Sequence, residues 1–149
     1  MIRLYLDTSV FNRSFDDQSQ VKIFLETQAT ISVLRTITEQ TVELMSSTVL
    51  QYENRQNPSP IKRAFMQAYL DIANFQPPLN QSVIQRAATL KEQGIQLIDS
   101  LHIASAEVSA CDYVLTCDKR LINRCQNLAL KVLNPVNYIL EIEDESSSE

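Results

Sequence analysis

Short apolar runs alternate with longer stretches of mixed polarity along the chain. The apolar runs cover residues 2–6, 42–46, 113–116 and 131–133, and their length is typical of buried strands. Between them, apolar residues recur at the three- and four-residue spacing of helices, as they do after Val21. This alternation predicts an α/β fold, a three-layer α/β/α sandwich with a central parallel sheet of four or five strands. The first run is the most apolar, so we expect it to be central.

Helix boundaries are marked most clearly in the middle of the chain. Ser59 before Pro60 is a start signal, because a capping residue is followed by proline at the first helical position. Asn80 is expected to cap the next helix, and Gly94 to close it. These signals predict two of the helices that lie between the second and third strands.

Other helix signals depend on single side chains. A helix cap is expected among Ser46, Ser47 and Thr48, and Thr48 with Gln51 three residues later fits a capping box. We expect Asp99 to cap a helix that runs to residue 110, and a short helix over residues 119–126. The fourth strand is expected to end before Pro135.

The composition is that of a soluble globular protein with one domain. The chain has 149 residues, of which 44% are hydrophobic and 21% charged. It shows no membrane-length apolar run and no secretion signal, so a cytoplasmic location is expected. Three cysteines without a C-x-x-C pair argue against a disulfide framework or a structural zinc site. The single glycine, Gly94, excludes a glycine-rich phosphate loop.

The net charge of −5 is concentrated at one end of the chain. Residues 141–149 hold five acids and no base, whereas residues 1–140 hold 13 of each. We expect residues 141–149 to form an acidic, flexible and solubilising tail. The acidic balance is therefore weak evidence against a nucleic-acid partner.

Four carboxylates fall where a parallel sheet would bring them together. Asp7 and Asp118 follow the first and third strands, and functional crevices lie at the carboxyl ends of such strands. Glu53 lies on the helix after the second strand, and Asp99 opens the helix before the third. Each acid has a structural alternative: a turn for Asp7, a cap for Asp99 or Asp118, and a solvated helix surface for Glu53. Together they would repel one another, which a divalent cation relieves, and oxygen ligands favour Mg²⁺ or Mn²⁺.

Three motifs follow one another in a definite order. Residues 4–10 read LYLDTSV, residues 46–53 read SSTVLQYE, and residues 98–106 read IDSLHIASA, followed by YVLTCD at 113–118. In this order and spacing the chain resembles a PIN domain, the PilT N-terminus nuclease fold. The resemblance implies a single PIN-like nuclease domain over residues 1–140.

The resemblance also implies an activity. PIN domains are hydrolases that cut RNA phosphodiester bonds with water activated by Mg²⁺ or Mn²⁺. The hydroxyl after the first acid falls on Thr8, which would face the substrate. Asp118 is expected to bind a second ion or to act through water. The family's metal-binding and catalytic acids carry over onto Asp7, Glu53, Asp99 and Asp118.

The sequence departs from the family pattern at three places that bear on substrate choice. Ser9 stands where asparagine is frequent, and Ser100 where a small apolar residue is common. Lys119 and Arg120 follow the fourth acid in place of another acid.

Basic residues lie close to the proposed site acids in the sequence. Without the four acids, residues 1–140 keep nine acids against 13 bases. Arg55, Lys119 and Arg120 are candidates to contact phosphates, although a solvated helix surface explains each of them as well. His102, the only histidine, is one helical turn after Asp99. It is a candidate substrate contact or general acid, with a packed histidine as the alternative.

Two other functions compete with the nuclease. A degenerate PIN domain would bind RNA or a protein without cutting. A phosphoryl-transfer domain would use Asp7 as nucleophile. However, a dehalogenase-type phosphatase needs a second aspartate at Ser9, and a response-regulator receiver would leave Glu53 and Asp99 unexplained.

The resemblance extends to small VapC-like toxins of type II toxin–antitoxin pairs. It implies an RNA substrate, a cognate antitoxin protein and a homodimer, and no membrane.

Overall fold

Four parallel strands form the central sheet of the protein, whose computed structural model describes residues 1–147. The strands are β1 (Arg3–Leu6), β2 (Glu43–Met45), β3 (Tyr113–Leu115) and β4 (Lys131–Leu133). Their order is β2-β1-β3-β4. The first strand has a parallel neighbour on each side, which confirms its predicted internal position.

Helices cover both faces of this sheet. The chain crosses from β1 to β2 in one direction and from β2 to β3 in the other, so right-handed connections place the intervening helices on opposite faces. The predicted three-layer α/β/α sandwich is confirmed. A short 3₁₀ helix, Arg13–Phe15, follows the first α-helix. The α-helices of the described residues are α1 (Thr8–Asn12), α2 (Val21–Thr38), α3 (Thr48–Gln56), α4 (Pro60–Asp71), α5 (Gln81–Glu92), α6 (Leu97–Val108), α7 (Lys119–Arg124) and α8 (Pro135–Ser147).

The core is centred on β1. Leu4, Tyr5 and Leu6 are at most 1% exposed, as expected for a parallel strand with helices on both faces. The whole of β3 beside it is also buried. The carboxyl ends of these two strands are therefore firmly held, and the residues that follow them have fixed positions.

The helix boundaries predicted in the middle of the chain are confirmed. Ser59 accepts a hydrogen bond from the Lys62 amide, with Pro60 in the first turn of α4. Asn80 caps α5 in the same way. Gly94 follows α5 with a φ of +99°, a conformation that suits glycine.

The predicted cap among Ser46, Ser47 and Thr48 is confirmed, but the capping box of Thr48 with Gln51 and the cap at Asp99 are wrong. The N-cap of α3 is Ser47, whose Oγ accepts the Leu50 amide at 3.0 Å, and Gln51 donates to Ser46. Asp99 is not a cap because α6 already begins at Leu97, which puts Asp99 inside the first turn. A carboxylate there still benefits from the positive end of the helix dipole.

The end of the chain differs from the prediction. Pro135 begins α8, because Asn134 Oδ1 accepts the Val136 amide and proline suits the first helical position. The predicted acidic tail is helical from Glu141 to Ser147. Its flexibility stays a prediction.

The cysteines of the described residues are free. Cys111, Cys117 and Cys125 are buried and form no disulfide, as predicted. Burial raises the pKa of Cys111 and of Cys117 to about 12, so neither is a thiolate at neutral pH. Within residues 1–147, no helix combines the length and apolar character needed to cross a membrane.

Candidate active site

The proposed site begins at Asp7, directly after the central strand. Its Oδ1 accepts the Thr8 amide at 2.8 Å and so caps α1. Its Oδ2 accepts the Ser9 hydroxyl at 2.9 Å and the Thr116 hydroxyl at 2.8 Å. The Cys117 amide in turn donates to Ser9 Oγ at 3.1 Å. The Asp7 carboxylate is thus held by residues that follow both β1 and β3. Ser9, which stands where asparagine is frequent in the family, makes one of these polar contacts.

Glu53 reaches this edge of the sheet from α3. Its Oε1 accepts the Thr8 hydroxyl at 3.1 Å and lies 2.5 Å from His102 Nε2. Burial alone would raise the pKa of Glu53, but the hydrogen bond and charge of His102 outweigh it, so the pKa lies below its ordinary value. Glu53 is therefore ionised at neutral pH. Its hydrogen bonds to Thr8 and His102 argue against the alternative that it is only a solvated residue on a helix surface. Its Oε2 has no hydrogen-bond partner among the described residues.

Asp99 lies on α6 in the field of the other acids. Burial and the charge of Asp7 raise the pKa of the Asp99 carboxyl, the charges of Asp118 and Glu53 raise it further, and His102 opposes them. No lysine or arginine of residues 1–147 forms an ion pair with Asp7, Asp99 or Asp118. The four predicted acids thus lie at one edge of the sheet, and three of them, Asp7, Asp99 and Asp118, have no lysine or arginine partner among the described residues.

Asp118 lies at the exposed side of this edge. Its Oδ1 caps α7 by accepting the Arg120 amide at 2.9 Å and the Leu121 amide at 3.4 Å. The predicted capping role of Asp118 is therefore confirmed. The charge of Asp118 also raises the pKa of Asp99. Lys119 and Arg120 are exposed on the first turn of α7, and Arg55 is exposed on α3.

His102 is buried behind the acids and is only 2% exposed. Its Nδ1 lies 2.6 Å from the Tyr5 hydroxyl, which lies 2.7 Å from Ser47 Oγ. Burial lowers the pKa of His102, but the hydrogen bond to Glu53 and the charges of nearby acids raise it above its ordinary value. The packed-histidine alternative describes its position, and its role as a substrate contact stays a prediction.

A shallow cleft opens beside Glu53. It has a volume of ≈ 450 Å³, and its lining includes Thr8, Tyr52, Glu53 and Ile98. Tyr52 is half-exposed there. The cleft provides an aromatic surface next to two of the proposed site residues.

Comparison with known families identifies the fold. Residues 4–126 match the PIN domain family. The chain belongs to the PIN domain family. The match includes all four predicted acids and ends before the acidic segment.

Solved structures give the same fold for this PIN domain. It is similar to a toxin–antitoxin complex from Klebsiella pneumoniae, with a TM-score of 0.59 and 14% identity over 89% of this chain and 97% of that one. It is also similar to VapBC2 from Rickettsia felis bound to a DNA fragment of its promoter, with a TM-score of 0.55 and 12% identity over 89% and 98% of the two chains. No curated protein matches the sequence.

The donor atoms of this PIN domain fit a hard divalent cation. Asp7, Glu53 and His102 each offer a ligand atom within 4.8 Å of the others. Asp99 lies outside this group of three, and the pKa of its carboxyl is raised by burial and then by the charge of Asp7. Carboxylate oxygens are the ligands that Mg²⁺ and Mn²⁺ prefer. His102 lies in this group because its Nε2 is hydrogen-bonded to Glu53, so that nitrogen is not available to bind an ion.

Sequence reasoning missed three residues of the site. Thr116 contacts Asp7, Tyr5 contacts His102, and Ser47 contacts Tyr5. The signals in the sequence were weak: a hydroxyl two residues before Asp118, and a tyrosine whose polar tip interrupts the apolar first strand. Their partners lie more than 40 positions away, so only the fold reveals the contacts.

Proposed function

We propose that this PIN domain is a metal-dependent endoribonuclease. The observation that carries the proposal is the close approach of Asp7 and Glu53 at one sheet edge, together with Asp99, whose pKa is raised first by burial and then by the charges of Asp7, Asp118 and Glu53. A fold gains no stability from such crowding, so the arrangement is best explained by a divalent cation. Asp7, Glu53 and Asp99 would hold Mg²⁺ or Mn²⁺ directly, with Glu53 offering Oε2. Asp118 would bind a second ion or act through water.

The chemistry divides between the ion and the chain. A bound Mg²⁺ makes water a stronger nucleophile and offsets charge that develops on the phosphate. The chain supplies fixed orientation, because Ser9 and Thr116 hold Asp7 while Thr8 and His102 hold Glu53. Preorganised ligands of this kind need no rearrangement when the substrate binds.

The surroundings of the acids suit a single-stranded RNA. Lys119 and Arg120 are exposed beside Asp118, and Arg55 is exposed on the helix of Glu53, so these cations would contact phosphates. Tyr52 in the adjoining cleft would stack on a nucleobase, a contact that tolerates any sequence.

The nuclease would act as the toxin of a type II toxin–antitoxin pair. One similar solved structure is a toxin–antitoxin complex and the other is VapBC2 bound to promoter DNA, and they support a cognate antitoxin as partner. A homodimer and a cytoplasmic location belong to the same proposal.

RNA cleavage tests the enzymatic proposal. End-labelled single-stranded RNAs are incubated with the purified chain in Mg²⁺, Mn²⁺ or EDTA, alongside Asp7→Asn and matched DNA. We expect cleavage only with metal, products with 5′-phosphate and 3′-hydroxyl ends, and loss of cleavage in Asp7→Asn with an unchanged circular dichroism spectrum. RNA binding without cleavage under every metal would instead identify a binding module, and a phosphorylated Asp7 would identify a phosphoryl-transfer enzyme.

Expression in a bacterial host tests the toxin proposal separately. We expect the chain to arrest growth, Asp7→Asn to be harmless, and a small protein encoded beside the gene to restore growth. Normal growth at a confirmed level of soluble, RNA-cleaving protein would leave the nuclease standing and overturn the toxin role.

A further inference from the structure

A buried series of hydrogen bonds begins and ends on α3. It starts at the Leu50 amide in the first turn, passes through Ser47, Tyr5 and His102, and ends at Glu53. Ser47, Tyr5 and His102 are each at most 2% exposed. The series therefore links α3 to the central strand and to α6 without access to water, and its last member is a proposed metal ligand.

The direction of each hydrogen bond follows from the chemistry of its two ends. Leu50 N–H is a donor only, so Ser47 Oγ accepts from it and is free to donate its own hydrogen to the Tyr5 oxygen. At the other end the ionised Glu53 carboxylate is an acceptor only, so His102 Nε2 must carry a hydrogen. In the neutral ring Nδ1 then accepts the Tyr5 hydroxyl hydrogen, whereas in the charged ring Nδ1 donates to the Tyr5 oxygen and the Tyr5 hydroxyl donates to Ser47. All four hydrogen bonds are satisfied in both states, and Nε2 donates to Glu53 in each.

Both ring nitrogens of His102 are consequently occupied. Nε2 is protonated and points at Glu53 Oε1, so it offers no lone pair to a metal ion. Nδ1 faces Tyr5 inside the protein, where no substrate reaches. The hydrogen bonds to Oε1 leave Glu53 Oε2 as its open ligand atom.

We propose that His102 and Tyr5 are positioning residues that hold Glu53 for metal binding, with Nε2–H of His102 donating to Glu53 and the Tyr5 hydroxyl holding the ring at Nδ1. The inference rests on the proposed metal site. His102 is thus neither a metal ligand nor a substrate contact. Hydrogen bonds that orient a metal ligand are worth about 10–100-fold in metal affinity.

Binding of Mn²⁺ without substrate tests this role, measured from the electron paramagnetic resonance signal of free Mn²⁺. His102→Leu removes both hydrogen bonds at similar size, and we expect the dissociation constant to rise about 10–100-fold. His102→Gln keeps a donor for Glu53 and an acceptor for Tyr5, so it should restore most of the affinity. Tyr5→Phe should weaken binding, whereas Tyr138→Phe, a buried tyrosine on α8, should leave it unchanged.

Thermal unfolding of the same variants separates positioning from stability. A purely structural role would lower the melting temperature of His102→Leu and leave the Mn²⁺ affinity of the folded chain unchanged, which would overturn the inference. Absence of Mn²⁺ binding by the unaltered chain would overturn the metal-dependent function and the inference with it. Mn²⁺ binding without RNA cleavage would overturn the nuclease alone.

The protonation of the ring gives a test that needs no metal. ¹⁵N chemical shifts of the imidazole should show a protonated Nε2 at pH 7 in the unaltered chain. A ring with a hydrogen on Nδ1 alone would contradict the proposal, because Nε2 would then face the Glu53 carboxylate without a hydrogen to donate.

Discussion

The Thr116 hydroxyl donates a hydrogen bond of 2.8 Å to Asp7 Oδ2, across the boundary between the two innermost strands. Thr116 is fully buried and also accepts the Asp118 amide at 3.1 Å. One hydroxyl thus sets the orientation of the first acid and the backbone position of the fourth.

Replacement of this hydroxyl should weaken metal binding without a large loss of stability. Thr116→Val keeps the shape and removes the hydrogen bond, so we expect the Mn²⁺ dissociation constant to rise about 10–100-fold. Thr116→Ser keeps the hydroxyl and is the matched control, with affinity near that of the unaltered chain. Equal affinity in all three proteins, measured by calorimetry, would show that Thr116 does not orient Asp7.

Neutralisation of Asp99 should stabilise the metal-free protein. The folded-state pKa of Asp99 is raised by burial and by neighbouring acids, so its ionisation opposes folding once the pH exceeds the unfolded-state value. Asp99→Asn should therefore melt at a higher temperature than the unaltered chain in EDTA at pH 7. This advantage should shrink as the pH falls below about 4, where the unfolded carboxyl is also protonated.

Metal should reverse that order. Mg²⁺ binds the folded state and should raise the melting temperature of the unaltered chain, but raise it less in Asp99→Asn, which lacks a ligand. A melting temperature of Asp99→Asn below that of the unaltered chain in EDTA would mean that ionisation of Asp99 does not destabilise the metal-free folded state.

Loss of the cations beside Asp118 should weaken RNA binding alone. Lys119→Ala combined with Arg120→Ala should raise KM and reduce the salt dependence of RNA affinity, by about 0.7 in the logarithmic slope for each phosphate that is no longer neutralised. Mn²⁺ affinity should not change. The control removes two exposed cations elsewhere, Arg35→Ala with Lys91→Ala, and should leave KM unaltered. Equal KM values in the two double variants would remove Lys119 and Arg120 from the RNA-binding surface.

Stability away from the site should depend on Glu26. This carboxylate is 1% exposed, lies 2.8 Å from Arg13 Nη2, and accepts a hydrogen bond from Asn134 at the start of α8. Removing Glu26 leaves Arg13 with the more exposed Asp16 as its partner and leaves Asn134 without its acceptor, so Glu26→Ala should cost about 3 kcal/mol in urea unfolding. Asp16→Ala removes the more exposed partner of the same arginine and should cost less than about 1 kcal/mol. A similar loss in both variants would show that burial of Glu26 does not set its contribution.

The sequence was sufficient to predict the sheet, because the residues that mark each strand and each helix boundary are adjacent in the chain. Each strand is a short apolar run, and Ser59–Pro60, Asn80 and Gly94 mark helix boundaries by their own conformational preferences. The start of α8 carries the same kind of signal as Ser59–Pro60, since Asn134 precedes Pro135, but a proline that follows an apolar run also predicts the end of a strand.

The site was predictable only as a set of acids. Asp7, Glu53, Asp99 and Asp118 follow from motif order and from the edge that parallel strands share. The contacts that orient them do not, because Tyr5 and Thr116 resemble ordinary strand residues until the fold places them beside His102 and Asp7.

A crystal soaked in Mn²⁺ and measured at the manganese absorption edge tests the central claim most directly. We predict anomalous density for an ion shared by Asp7 and Asp99, with Glu53 Oε2 as a further ligand and His102 outside the coordination sphere. Saturating Mn²⁺ that leaves these carboxylates without an ion, or an ion that joins neither Asp7 nor Asp99, would contradict the account.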